Sequence, residues 1–290
     1  TPTAVRSLTC ILLDTFCKLD AGLIRPYSDG KWGLSQADFF ANLELGLQEA
    51  IPDEGSLFSW LSLLYNFLTE VPSLPPASLP GQDTLEVLVS CMGAKDEDVF
   101  LMATYVILAL NSHYGYTGAE PRSEAPETGE EDMRASQYNQ PNPIVQVLDK
   151  DRAMGELFSE AVLHLLNGQS YPYDDPVLLG QLLYMVRAVF STRATSEFFH
   201  TTDLRVIVDI LIRQIRDLSP EDEFRGDYLR ILHLILINAR SLHKYRSKDI
   251  QDAVEFVLAS AENGMLPLSC AFAVRILLDC MFELEGVHRQ

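Results

Sequence analysis

The chain has 290 residues, 47% of them apolar and 22% charged, a balance that excludes wholesale disorder and a collagen-like repeat. Its formal net charge is −19, from 22 Lys and Arg against 41 Asp and Glu, which argues against nucleic acid or an anionic membrane as a partner held by bulk charge. The sign is uneven: residues 1–170 hold 9 basic and 24 acidic side chains, whereas residues 205–248 hold 9 and 6, a local basic island.

In chain order, Val5, Leu8, Leu12, Leu13 and Phe16 share one stripe at helical spacing. Ser35 and Asp38 resemble a cap and an acidic third position ahead of Phe39, Leu43 and Leu47. Leu57, Trp60, Leu61, Leu64, Tyr65 and Leu68 form the next stripe. The stretch Pro72 to Pro80 breaks it, since proline removes a helix hydrogen bond and clashes with the preceding turn. A short helix is expected over 83–92 and a longer one over 97–112. The latter is apolar on nearly all sides and so is expected to be buried. Its run Val99 to Leu110 is twelve residues, too short to span a bilayer.

Residues 115–143 change character. Glu120, Glu124, Glu127, Glu130, Glu131 and Asp132 alternate with Pro121, Pro126, Pro141 and Pro143, and few apolar residues lie between. This reads as a mobile, solvated insertion. Helices resume over 144–167. Tyr171 to Pro176 reads as a turn, with Pro176 at the first position of a helix over 177–192. Further helices are expected over 202–218, 226–242, 249–262 and 268–285. No segment shows sustained strand alternation. About ten helices on short connections make the fold class all-α, a helical repeat or α-solenoid, although no strict sequence repeat is visible. The division is an N-terminal helical part over 1–114, the acidic insertion over 115–143 and a leucine-rich part over 144–290, expected to build one continuous solenoid.

Catalytic signatures do not emerge. The six histidines are 113, 164, 200, 233, 243 and 288; none forms HExxH, and His164 and His233 lie in apolar helical runs that read as core or half-buried. There is no GxSxG, GxxxxGK[ST] or GxGxxG. Asp174-Asp175 is a weak match to aspartate-rich magnesium motifs of helical enzymes, because Pro176, Val177, Leu178 and Leu179 follow where a further carboxylate is needed. A helix cap explains the pair better. Cys10, Cys17, Cys91, Cys270 and Cys280 sit among apolar neighbours and form no CxxC pair, which reads as core thiols in a reduced, intracellular chain without structural zinc. The expectation is a protein that is not an enzyme, with no metal, no cofactor and no small-molecule substrate. The first residue is Thr1, not Met, so the sequence is read as a piece of a longer protein.

The basic island is the most informative stretch. The helix over 202–218 has a core stripe of Leu204, Ile207, Val208, Leu211, Ile215 and Leu218. Another face carries Arg205, Asp209, Arg213 and Asp217 at successive four-residue steps. That spacing fits a solvated ion-pair ladder, the bland alternative, or a polar face that offers Arg213 to a partner carboxylate. A second cluster, Arg240, His243, Lys244, Arg246 and Lys248, follows a helix C-terminus, where cations suit the helix dipole. It exceeds what a cap needs, so a docking surface for an acidic partner stands beside that reading.

The run Phe198-Phe199-His200-Thr201-Thr202-Asp203-Leu204-Arg205-Val206-Ile207-Val208-Asp209-Ile210-Leu211-Ile212-Arg213-Gln214-Ile215-Arg216-Asp217-Leu218 resembles the core signature of the WISH/DIP/Ldb leucine-rich-domain family. The likeness continues at Tyr228-Leu229, His243, Tyr245, Arg246 and Asp249 and is specific over about 50 residues, with leucine-rich helical context over most of 144–290. The first 140 residues match only in general character, which points to a fungal member. The resemblance implies an armadillo-like fold. It also implies binding to the actin-related protein 2/3 complex and its activation without a pre-existing mother filament. The complex would then start linear actin filaments, which seed branched networks at endocytic cortical patches in the cytoplasm. Actin filaments would be engaged only indirectly, and neither nucleic acid nor membrane insertion would be involved. Consistent with this, residues 120–132 contain no Trp of the acidic-tail kind, and no Leu-Lys-Lys-Thr-like monomer motif is present. Within the signature Phe198, Phe199, Leu204, Leu211 and Leu218 read as packing residues, and Arg213, Gln214, Arg216, His243, Lys244 and Arg246 as partner contacts. The alternatives are a generic helical-repeat adaptor and a helical metal-dependent enzyme, which would need a second carboxylate cluster opposite Asp174-Asp175.

Overall fold

The computed structural model describes residues 54–70, 74, 79–115, 142–168, 175–219, 221–222, 224–239, 242, 245–262 and 274. The helices expected over 5–16, 35–47 and 268–285, the 116–141 part of the acidic insertion, and Tyr171 to Asp174 lie outside these residues, Val274 excepted.

The described residues are all-α, without a strand. Ten helices occur among them, α1 (Glu54–Glu70), α2 (Gln82–Ser90), α3 (Glu97–Gly115), α4 (Pro143–Lys150), α5 (Arg152–Asn167), α6 (Pro176–Phe190), α7 (Arg193–Ser196), α8 (Thr201–Asp217), α9 (Phe224–Asn238) and α10 (Ser247–Glu262). A 3₁₀ turn, Cys91–Gly93, follows α2. The chain forms two compact units, Thr1–Phe158 and Ser159–Gln290, and the division falls within α5.

In the first unit α1 packs on α3, and α2 packs on both α3 and α4. The stripe of α1 is buried as expected at Leu57, Trp60, Leu61, Leu64 and Leu68, while Tyr65 is half-buried. In α3, Val106 to Leu110 are all buried. At about 1.5–3 kcal/mol for each fully buried large aliphatic side chain, such runs drive the packing.

In the second unit α9 packs against α6, α7 and α8, and α8 also packs against α10. The start of α6 follows from its sequence. Asp175 Oδ1 accepts from the backbone N–H groups of Val177 at 3.0 Å and Leu178 at 3.1 Å, with Pro176 at the first helical position. The helices expected over 144–167 are two, α4 and α5, divided at Asp151, whose side chain accepts from Ala153 N–H at 3.0 Å and so starts α5 afresh. Asn142, Asp96 and Asp222 serve α4, α3 and α9 in the same way. At the other end of α8, the buried Arg225 donates to the carbonyl of Leu218, and its guanidinium lies 5.9 Å from the Phe256 ring centroid on α10. A cation at a helix C-terminus offsets the dipole and satisfies an orphan carbonyl.

Candidate functional site

The amphipathic character of α8 separates two roles on one helix. Leu204, Ile207, Val208, Leu211 and Ile215 are buried, as are Phe198 and Phe199 just before it. Phe199 stacks on Phe190 of α6 with ring centroids 5.0 Å apart, an arrangement that adds to the burial of both. Leu218 departs from the expected stripe. It is the C-cap and is half-buried, and its exposed side follows from α8 ending one residue earlier. The remaining face exposes Arg205, Val206, Arg213, Arg216 and Asp217, with Asp209 and Gln214 half-buried.

The ladder that the four-residue spacing fits does not form. Asp209 turns instead to the chain ahead of α10, where Arg246 Nε lies 3.2 Å from its Oδ1 and the Tyr245 hydroxyl donates to its Oδ2 at 3.2 Å. Among the described residues, Arg213 and Asp217 take part in no ion pair. Two partners held by the fold on one carboxylate displace a helical pairing worth only a few tenths of a kcal/mol.

Around Asp209 a compact polar node gathers. Arg246 Nη1 donates to Asp249 Oδ2 at 3.1 Å, so its guanidinium bridges carboxylates on α8 and α10. Arg216 Nη2 donates to the Asp249 carbonyl at 3.2 Å. The Arg205 guanidinium lies 5.4 Å from the centroid of the Tyr245 ring, a cation–π contact. The hydrogen bond to Asp249 first, then that to Tyr245 and the charges of Asp209 and Asp249, push the Arg246 guanidinium further above its ordinary high value. Its charge is therefore permanent.

The structure thus brings together Arg216 and Arg246 of the expected contact residues, while Arg213 and Gln214 lie between Asp209 and Arg216 on α8, exposed and half-buried respectively. His243 and Lys244 lie outside the described residues. Asp209, Asp249, Arg205 and Tyr245 complete the node, and sequence reasoning did not assign them to it. Tyr245 and Asp249 stood in the matching signature, which was the available signal, but their pairing spans 36 residues in the case of Tyr245 and Asp209.

The other singled-out residues divide. Asp175 is a helix cap. Cys91 is a buried thiol, pushed up to about 11 by burial. His233 is half-buried, and burial lowers its pKa below 6.5. His164 is exposed, contrary to the buried reading, because it falls on the outward position of α5 between buried Val162 and Leu165. Among the described residues no group of three or more His, Cys, Asp or Glu side chains is placed to hold a metal ion. No described helix is long and apolar enough to cross a membrane. The node's groups are donors and acceptors fixed on a helical surface, suited to recognising another macromolecule.

A family model described as the SPIN90/Ldb17 leucine-rich domain matches residues 96–250. It begins well upstream of the signature and takes in α3, so the likeness reaches further toward the N-terminus than the signature suggested. Protein dip1 of Schizosaccharomyces pombe is 35% identical over 122 residues, covering 41% of this chain and 32% of that protein. Protein LDB17 of Saccharomyces cerevisiae is 26% identical over 164 residues, 56% of this chain and 30% of that one. Protein LDB17 of Eremothecium gossypii is 28% identical over 89 residues, 30% and 19% respectively. These relatives are fungal, and the chain spans about a third or less of the length of each.

Proposed function

The chain belongs to the SPIN90/Ldb17 leucine-rich-domain family, and on that premise we propose that it binds the actin-related protein 2/3 complex and switches it on without a mother filament. The observation that carries the reading is that the family match over 96–250 encloses all of α8 and the Tyr245–Asp249 turn, whose side chains build the polar node. The action is binding, not catalysis, and needs no cofactor. The site of action is the cytoplasm, at cortical actin patches, where the activated complex begins linear filaments.

Energetically the chain is a ligand with higher affinity for the active arrangement of the complex than for the inactive one. Moving such an equilibrium from about 1:99 to 99:1 takes a differential affinity of about 10⁴. A rigid face with fixed donors suits that demand, since donors placed correctly for only one arrangement reward only that arrangement. Arg213, Gln214 and Arg216 on α8 and Arg246 ahead of α10 are the contacts, joined by His243 and Lys244.

The test is bulk actin polymerisation with the purified complex and this chain, without another activator or filament seeds, beside single-filament imaging. Faster assembly into unbranched filaments, dependent on the complex, is the expected result. Arg213→Glu, on an exposed residue without an ion pair among the described residues, should weaken binding about tenfold and leave helicity unchanged. No acceleration together with no binding would replace this reading with a helical adaptor for other proteins.

A further inference from the structure

Arg246 has φ of +52°, the sole positive value among the described non-glycine residues. There the Cβ crowds the adjoining carbonyl, and glycine, asparagine or aspartate are the usual occupants. The Arg246 carbonyl accepts from Ile250 N–H at 2.9 Å, so the residue also occupies the position before the first turn of α10. Asp or Asn fills the corresponding place at α3, α4, α5 and α6. Both local demands ask for a residue that arginine is not. Packing does not ask for it either, since the side chain is 49% exposed and its ion pairs are of the solvated kind that add little to stability.

The guanidinium is nevertheless held in place. Nε faces Asp209, Nη1 bonds Asp249, and Tyr245 is a further hydrogen-bond partner. A side chain fixed in advance loses less rotamer freedom when a partner arrives.

We propose that Arg246 is kept at a backbone position suited to glycine because its guanidinium, preset by Asp209 and Asp249, donates to a main-chain carbonyl of the bound partner. A neutral acceptor fits this place. Two carboxylates already flank the guanidinium, and a third would meet like charge on both sides. Arg246 is thus a recognition residue whose specificity is for geometry, whereas Arg213 answers to charge. The inference rests on the reading of this face as the surface that takes the actin-related protein 2/3 complex.

The experiment compares the wild-type chain with Arg246→Gly and Arg246→Lys, measuring the thermal unfolding of each chain alone and its affinity for the purified complex. Arg246→Gly should melt at the wild-type temperature or up to about 3 °C above it, as the left-handed backbone is relieved. It should bind about tenfold more weakly, and Arg246→Lys, which keeps the charge and loses the planar fork, should bind as weakly. A fall in the melting temperature of Arg246→Gly makes Arg246 a structural residue and overturns the inference, whatever the wild type binds. Unchanged affinity in Arg246→Gly removes the side chain from the interface. Wild-type affinity in Arg246→Lys shows that charge suffices and overturns the carbonyl assignment. A wild-type chain that fails to bind the complex is a different result, which sinks the functional reading itself.

Discussion

Helices α3 and α8 have nearly the same length, 19 and 17 residues, and spend their polar side chains in opposite ways. Beyond the exposed Glu97 and Asp98 of its first turn, α3 keeps these groups buried or half-buried, and several bond to carbonyls close by. Thr104 Oγ1 donates to the Phe100 carbonyl at 2.9 Å, Ser112 Oγ to that of Ala109 at 2.6 Å, and His113 Nε2 meets the Leu68 carbonyl of α1 at 2.8 Å. In α8 they point outward, and Asp209 and Arg216 reach a different segment of the surface. The polarity of α3 therefore serves the fold, while that of α8 costs the fold little to keep or lose.

The comparison breaks most sharply in the cores. Leu108→Ala in α3 and Leu211→Ala in α8 remove fully buried side chains, and each should cost about 2–5 kcal/mol in denaturant unfolding. A small cost at Leu211 alone would mean that α8 is held by its surface node and not by its apolar stripe.

Acid should separate the two helices next. Burial lowers the pKa of His113 below 6.5, against the opposing effect of its bond to Leu68, and leaves Nδ1 without a hydrogen bond. The folded chain then resists a proton that the unfolded chain takes up at about 6.5. Stability is complete above that pH and falls as pH drops through and below it. His233 of α9 acts with the same sign. Melting temperature followed from about pH 8 to pH 5 should show the decline, and His113→Gln should remove part of the slope. An identical slope in the variant would place the sensitivity elsewhere.

The smallest effect is expected at the node. Asp209→Asn, on a side chain 41% exposed, should move the melting temperature by about 2 °C or less, since solvated ion pairs contribute little. A drop as large as that of Leu211→Ala would make the node a structural clamp and erase the contrast with α3.

What the sequence disclosed follows the range of the forces involved. The apolar stripe of α8, the burial of α3 and the Asp175-Pro176 start of α6 rest on neighbours within a turn or two, and pattern alone shows them. The helices over 144–167 were expected as well, but without the boundary between them, which a single cap at Asp151 sets. His164 was misread for a related reason: its neighbours fix the helix, whereas the phase of that one position decides its exposure. The partners of Asp209 could not be read at all. Helical spacing offered Arg205 and Arg213, and only tertiary packing supplies Tyr245 and Arg246. For the surface, then, the sequence marked the right helix and could not mark the pairing on it.

Near the end of α3, Asn111 Oδ1 accepts from Asn142 Nδ2 at 2.5 Å, across 31 positions of sequence. Asn142 is also the cap of α4. The chain thus leaves and returns at one spot, as a cord does at a knot. Losing the Asn142 side chain would therefore undo two things at once, the tie to α3 and the start of α4.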